Sequence, residues 1–325
     1  MSMGYVVGTD EAGYGPNLGP LVISATVWEA PEGVGSDDLY RLLGSSIATS
    51  PRRAAENGSA CVAMADSKAL YKPGGGLRHL ERGLLAALAL LDRRPTTWRE
   101  FWEALCPESA GHWQSAPWYA DYDSPVPLDA DPAETESLAQ TLGETLAAAG
   151  VRLVELRSRA VFAEPFNRLV ELHDTKGAAL SHTTLDLIAE LAGPLSGGPI
   201  SIVCDKHGGR NRYHQFLADH FPEQFIEIHG ESRARSVYRF GPEERRIEIR
   251  FQTKAESHLP AALASMASKY LRELAMRAFN DFWGRRVPGL RPTAGYPQDA
   301  KRFKAEIAAV QAELGIEDRV LWRTR

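Results

Sequence analysis

The sequence predicts an α/β fold built on a mixed β-sheet. Short apolar runs of strand character alternate with amphipathic helical stretches, and glycine- and proline-rich turns separate them. No internal repeat and no low-complexity tract breaks the alternation. With 325 residues, 44% hydrophobic and 24% charged, the chain suits one large domain over 1–325 that carries insertions.

Tyr5-Val6-Val7 reads as a short strand ending at Gly8, and residues 21–28 as a second one. The turn between them holds Gly13, Gly15, Pro16, Gly19 and Pro20. Residues 29–60 read as a surface connection with a short helix at 38–43, and 77–91 as a helix. The stretch 93–133 differs in texture, with Trp98, Trp102, Trp113, Trp118 and Tyr119 set among Pro, Ser and Asp. It reads as a Trp-rich insertion packed on the main domain, with a base-stacking platform as the alternative. Next come a helix at 134–149, a strand at 151–158 and one long helix at 167–192. Residues 200–204 form a buried-type strand that delivers Asp205. A helix at 213–220, a strand at 225–228 and a hairpin of 237–240 with 247–252 follow. Helices at 261–282 and 300–314 make 261–325 a C-terminal helical extension, expected to contribute to substrate binding.

Bulk features narrow the function classes. No apolar run of about 18 residues exists, so no membrane span is expected. The first residues lack the charged and apolar regions of a secretion signal. Cys61, Cys106 and Cys204 are odd in number and show no CxxC spacing. Neither structural zinc nor a disulfide framework is expected, and a reducing cytoplasm fits best. The net charge of −5 does not suit a generic nucleic-acid coat. Residues 264–304, however, carry nine Lys or Arg against three Asp or Glu. That stretch suits a phosphate-facing surface, or simply a solvated helix face.

Chemistry concentrates first in Gly8-Thr9-Asp10-Glu11-Ala12-Gly13-Tyr14-Gly15-Pro16. Adjacent acids straight after an apolar strand repel in a partly desolvated place. Mg²⁺ or Mn²⁺ would relieve both penalties, since hard cations take carboxylate oxygens. A solvated acidic turn is the plainer reading of the pair alone. Gly13 and Gly15 shift the balance, because they let backbone approach a substrate closely.

The pattern strand-Asp-Glu-Ala-Gly-x-Gly-Pro-x-x-Gly-Pro resembles the start of ribonuclease HII. Three further segments resemble that family in the same order: Ala65-Asp66-Ser67-Lys68-Ala69-Leu70; Lys254-Ala255-Glu256-Ser257 with Pro260 and the run SMASKYLRE; and Gly295-Tyr296-Pro297 before a basic helix. The resemblance spans residues 7 to about 315 and skips 93–133. It implies a ribonuclease H-like mixed sheet of about five strands flanked by helices. It also implies a two-metal carboxylate site of Asp10, Glu11, Asp205 and Glu256. The family usually has Asp at the position of Glu256, so Glu231 is the fallback fourth ligand. A lone Asp at a strand end such as Asp205 is otherwise an ordinary helix cap.

The resemblance further implies a nucleic-acid partner, an RNA–DNA hybrid or ribonucleotide-containing DNA. In the family, a Gly-Arg-Gly loop and a C-terminal tyrosine read the 2′-hydroxyl that marks RNA. Here the loop is Gly13-Tyr14-Gly15, with tyrosine in place of arginine, and Tyr296 matches the family tyrosine. Lys206-His207-Gly208-Gly209-Arg210-Asn211-Arg212 stands where the family has a short Asp-Gly. Lys206, Arg210 and Arg212 there suit a phosphate-wrapping loop or surface cations on a turn. His207 is a candidate proton shuttle or an exposed turn histidine. Lys68, Lys254 and Lys269 are further candidate phosphate contacts. A hydrolase cutting RNA in hybrids, or 5′ to a ribonucleotide in duplex DNA, is the leading expectation. A structure-selective DNA nuclease and a non-catalytic nucleic-acid binder are the alternatives.

Overall fold

The structure is a computed structural model that describes residues 2–72, 74–113 and 116–324. Its seven-stranded sheet contains β1 (Met3–Ala12), β2 (Leu21–Pro31), β3 (Arg152–Val161), β4 (Ile200–Asp205), β5 (Glu227–Glu231), β6 (Arg235–Phe240) and β7 (Ile247–Gln252). Strand order is β3-β2-β1-β4-β7-β6-β5. β1 and β2 are antiparallel, as are β2 and β3, whereas β1, β4 and β7 run parallel. The sheet is therefore mixed, as expected. It exceeds five strands because β6 pairs antiparallel with β7, and β5 pairs antiparallel with β6 at the sheet edge.

Among the described residues, eight helices of seven residues or more position the rest: α1 (Arg78–Ala89), α2 (Trp98–Leu105), α3 (Pro132–Ala149), α4 (Ala163–His173), α5 (Lys176–Ala192), α6 (His214–His220), α7 (Leu259–Gly284) and α8 (Pro297–Glu313). Alternation along β1 assigns its two faces. Val6 packs with α7 residues such as Leu263 and Met266, and Val7 with Leu185 and Ile188 of α5. Both faces are covered, so the central strands read as continuous apolar runs. Among the described residues no helix is long and apolar enough to cross a membrane.

Two sequence expectations change. β1 runs through Gly8 instead of stopping there, because Gly8 is where α7 meets the strand. A Cβ at Gly8 would lie 2.2 Å from the Ala261 nitrogen, so only glycine allows this approach. The single helix at 167–192 is two helices, α4 and α5. Asp174 breaks them with φ of 64°, and the Thr175 side chain caps α5 by accepting from Ala178 N–H. Residues 261–282 lie on helix α7, which packs against β1 and β2 and begins the C-terminal helical part. The insertion's Trp98, Trp102, Trp113 and Trp118 are all buried, in a cluster with Tyr119, Phe162 and Phe279. The packing reading of 93–133 therefore holds. A base-stacking platform needs open ring faces, and these rings have none.

Candidate active site

Strand register brings the first acids together. Thr9 of β1 pairs with Cys204 of β4, so Asp10 and Asp205 are the next residues on parallel neighbours about 4.8 Å apart. β4 also aligns Asp205 with Gln252 of β7, and the chain leaving β7 turns at once into the short helix Ala255–Ser257 that carries Glu256. Lys254 starts that turn with φ of 60°. The backbone of Lys206, Ala255 and Lys254 lies close enough to the Asp205 carboxylate to favour its charged form.

The charges converge from four places in the sequence. Burial lifts the Asp10 pKa to about 7, and the Asp205 and Glu256 charges add to the lift; Ser265 opposes it by donating to the Asp10 carboxylate. Burial, then Asp10 and Asp205, hold Glu11 well above the usual carboxylate range. Burial likewise raises Asp205, and burial with the Asp205 charge raises Glu256. Lys68 answers all four. Burial opposes its charge, but Asp66, Asp10, Glu256 and Asp205 outweigh that and hold its pKa above the ordinary value. One ammonium among four crowded carboxylates leaves a negative excess that a divalent cation would neutralise. The donor set, all carboxylate oxygen, fits Mg²⁺ or Mn²⁺ and not a soft metal. Among the described residues no group of three or more His, Cys, Asp or Glu side chains is closed tightly enough to grip an ion as it stands. What favours a cation here is donor chemistry and unbalanced charge.

Serines beneath the acids hold Asp10 in place. Ser268 donates to the Asp10 carbonyl at 3.0 Å and accepts from Ser24 Oγ at 2.8 Å. Ser265 Oγ also shares a hydrogen bond with Ser67 Oγ at 3.0 Å, which ties α7 to the segment bearing Lys68. Neither serine stands out as functional in sequence. The readable signal is two small polar residues three apart in the otherwise apolar first turns of that helix.

The glycine loop stands beside the acids. Gly13 adopts φ of 91°, and a Cβ there would sit 2.5 Å from the Pro20 carbonyl oxygen. Gly15 is exposed, and the Tyr296 ring lies 3.9 Å from where its Cβ would be. Tyr296 is 60% exposed, so its ring is open to a ligand. The Tyr14 ring lies under the Lys176 ammonium at 4.6 Å, and its hydroxyl packs on Gly208. Tyr14 thus bridges the glycine loop and the loop after Asp205.

Several cations expected to meet phosphate are engaged otherwise. Lys206 is buried, and its ammonium donates to the Ser232 carbonyl at 2.8 Å and to Ser236 Oγ at 2.9 Å. It anchors its loop from within. Lys269 pairs with Glu273 and lies over the Tyr71 ring. Lys254 reaches the site through its backbone. Arg212 is largely exposed, 3.7 Å from Glu231. Arg210 stacks on Phe216 at 4.2 Å and adds positive charge near Tyr14. The basic stretch 264–304 is likewise partly consumed, since Arg272 is buried and Arg302 pairs with Asp299 and Glu306.

His207 and Glu231 are engaged within the fold. His207 is fully buried, 3.0 Å from Ser181 Oγ, and burial with the nearby Arg210 charge lowers its pKa to about 3. A histidine that stays neutral and shielded at working pH does not shuttle protons. Glu231 accepts from the Tyr238 hydroxyl at 2.5 Å and its charge acts on Lys206, whereas the Glu256 charge acts on Asp10.

No protein-family model matches the sequence, and no curated protein matches it. Solved structures do. Ribonuclease H2 from Pyrococcus horikoshii OT3 is 15% identical at a TM-score of 0.45, over 98% of this chain and 92% of that one. RNase HII from Archaeoglobus fulgidus, solved in a PCNA:RNase HII complex, is 14% identical at 0.42, over 98% and 94%. Bst-RNase HIII, solved in complex with Mn²⁺, is 14% identical at 0.42, over 98% of this chain and 65% of that one. The chain is similar to these ribonucleases in fold.

Proposed function

We propose that this protein is a metal-dependent endonuclease of ribonuclease H type. It would hydrolyse the RNA strand of RNA–DNA hybrids, or cut 5′ to a ribonucleotide in duplex DNA, leaving a 3′-hydroxyl and a 5′-phosphate. The observation that carries the reading is the convergence of Asp10, Glu11, Asp205 and Glu256 around the single lysine Lys68. These four acids would hold two divalent cations, Mg²⁺ or Mn²⁺, which supply activation of water for in-line attack and offset charge on the leaving oxygen. Ser265 and Ser268 fix Asp10 from below. Lys68 attracts a phosphate toward the acids as a point charge. The Gly13-Tyr14-Gly15 backbone and the open Tyr296 ring provide a surface that fits flush against a sugar.

A structure-selective DNA nuclease is the second reading, favoured by tyrosine at position 14 and the glycine-rich loop packed on it. Matched all-DNA, hybrid and single-ribonucleotide duplexes, each with Mg²⁺ or Mn²⁺, separate the two. Cleavage confined to ribose-containing duplexes supports the first reading. Equal cleavage of the all-DNA duplex installs the second, and no cleavage of any duplex removes both.

Tyr296 and Arg210 are expected to act differently. Aromatic contact with a nucleotide is worth ~1–3 kcal/mol, so Tyr296→Ala is expected to narrow the ribose-to-deoxyribose cleavage ratio about tenfold. Arg210→Ala should weaken both substrates together and lower the salt slope of binding by about one. The check is the cleavage ratio of each variant at fixed salt. A ratio altered by Arg210→Ala and untouched by Tyr296→Ala reverses the two roles.

A further inference from the structure

Behind the glycine loop lie two buried arginines, Arg272 and Arg323, 5% and 1% exposed. Arg272 Nη2 donates to the carbonyls of Leu18 at 3.3 Å and Ala294 at 2.9 Å. Arg323 Nη2 donates to the carbonyls of Gly13 and Pro16. The Arg323 backbone adds a reciprocal pair with Asn17: its N–H reaches the Asn17 carbonyl at 2.9 Å, and Asn17 Nδ2 donates to its carbonyl at 2.8 Å. The Arg323 guanidinium also lies 4.8 Å from the Phe166 ring centre, while its Nε and Nη1 are buried with no hydrogen-bond partner.

A guanidinium so incompletely paired is a poor source of stability, since an apolar side chain of similar size serves as well or better. Its geometry has another consequence. In a trans peptide the C=O and the next N–H point in opposite directions. Turning the Gly13 carbonyl inward to Arg323 therefore turns the Tyr14 N–H outward. The Pro16–Asn17 peptide shows where outward leads. Its carbonyl also meets Arg323, and its N–H meets the Gly295 carbonyl at 2.8 Å, next to the open ring of Tyr296.

We propose that Arg323 is a positioning residue for ribose recognition, holding the Gly13–Tyr14 peptide so that its N–H faces the sugar beside Tyr296. The inference rests on the ribonuclease reading above. Asn167 supports the clasp by donating to the Trp322 carbonyl at 2.9 Å and accepting from Thr324 N–H at 2.8 Å.

The test uses the full chain with Arg323→Met, which keeps the stem on Phe166, together with Arg323→Lys and Asn167→Ala. Two readouts are needed: hydrogen exchange of the loop amides in the free protein, and the affinity ratio for duplexes with and without one ribonucleotide, measured on an Asp10→Asn background. Losing hydrogen bonds to a charged group predicts a ratio lowered roughly tenfold or more in Arg323→Met, with near-normal melting and faster loop exchange. Arg323→Lys should restore part of the ratio, because an ammonium can still reach a carbonyl. Asn167→Ala should show the same trend more weakly, and it decides the matter if Arg323→Met does not fold. An unchanged ratio in a folded variant with a loosened loop overturns the proposal, as does an unchanged loop. If the parent protein shows no preference for ribose, the ribonuclease reading fails, and loop exchange alone decides whether Arg323 orients the peptide.

Discussion

Asp10→Asn is expected to abolish cleavage while leaving the fold intact. The substitution removes a charge and almost no volume, and the Ser268 bond to the residue 10 carbonyl survives because it involves backbone. Metal assistance supplies several kcal/mol to phosphodiester hydrolysis, so the rate should fall on the order of 10³-fold or more. Asp205→Asn should behave alike. Turnover of Asp10→Asn near that of the parent, at saturating Mg²⁺ or Mn²⁺, would falsify the assignment of these acids.

The same substitution has an opposite effect on stability, set by the raised pKa. Asp10 ordinarily titrates near 3.8 and here at about 7, so folding takes up a proton between those values. Its protonation therefore stabilises the metal-free protein fully below about pH 4, and that contribution is lost as pH climbs through about 7. Asp10→Asn should flatten this decline, so that the variant outlasts the parent at pH 8 without metal. Adding Mn²⁺ should reverse the order, since a ligand at 100 times its Kd adds roughly 2.7 kcal/mol to a protein that can bind it. Melting curves at pH 5 and pH 8, with and without Mn²⁺, check both signs. Parallel curves for parent and variant at every condition would mean that Asp10 is an ordinary surface acid.

Much of this site was legible because its signals are local. A buried apolar run ending in an acid fixes where Asp205 falls, whatever the rest of the chain does. Asp10 and Glu11 were legible too, although β1 passes through Gly8; that glycine signals a close helix approach as readily as a strand end. Sequence could not show which cations are spent inside the molecule. Lys206, His207 and Arg210 look alike on a glycine-rich loop, yet packing of the loop buries the first two and stacks the third on a ring. Lys269 carries its partner four residues on, at Glu273, and that pairing was readable from helix spacing alone. Arg323 was beyond reach, because its partners lie more than 300 residues away.

Glu81→Ala is expected to be the most destabilising single change in the molecule. Glu81 lies on α1 with no exposed surface, walled by the apolar core that α7 shares with the insertion. Its carboxylate is nonetheless well satisfied. It accepts from the N–H groups of Leu128 at 2.6 Å, Asp129 at 2.8 Å and Ala130 at 2.8 Å, and from the Tyr270 hydroxyl at 2.7 Å. Burial and the Glu81 charge push the Tyr270 hydroxyl far above its ordinary pKa, so it remains a donor at any working pH. Alanine would strand four donors at once, two of them buried, and removing one side of such an arrangement costs about 3–5 kcal/mol. For a chain of this size that lowers the melting temperature by roughly 10 °C. Glu81→Gln keeps the shape but turns an NH₂ toward backbone N–H groups, so it should recover only part of the loss. Because Tyr270 sits two residues before Arg272 on α7, the damage should also reach the glycine loop and appear as weaker ribose discrimination. A melting temperature within about 2 °C of the parent for Glu81→Ala would show that water satisfies these donors, and that the insertion is held by its tryptophans alone.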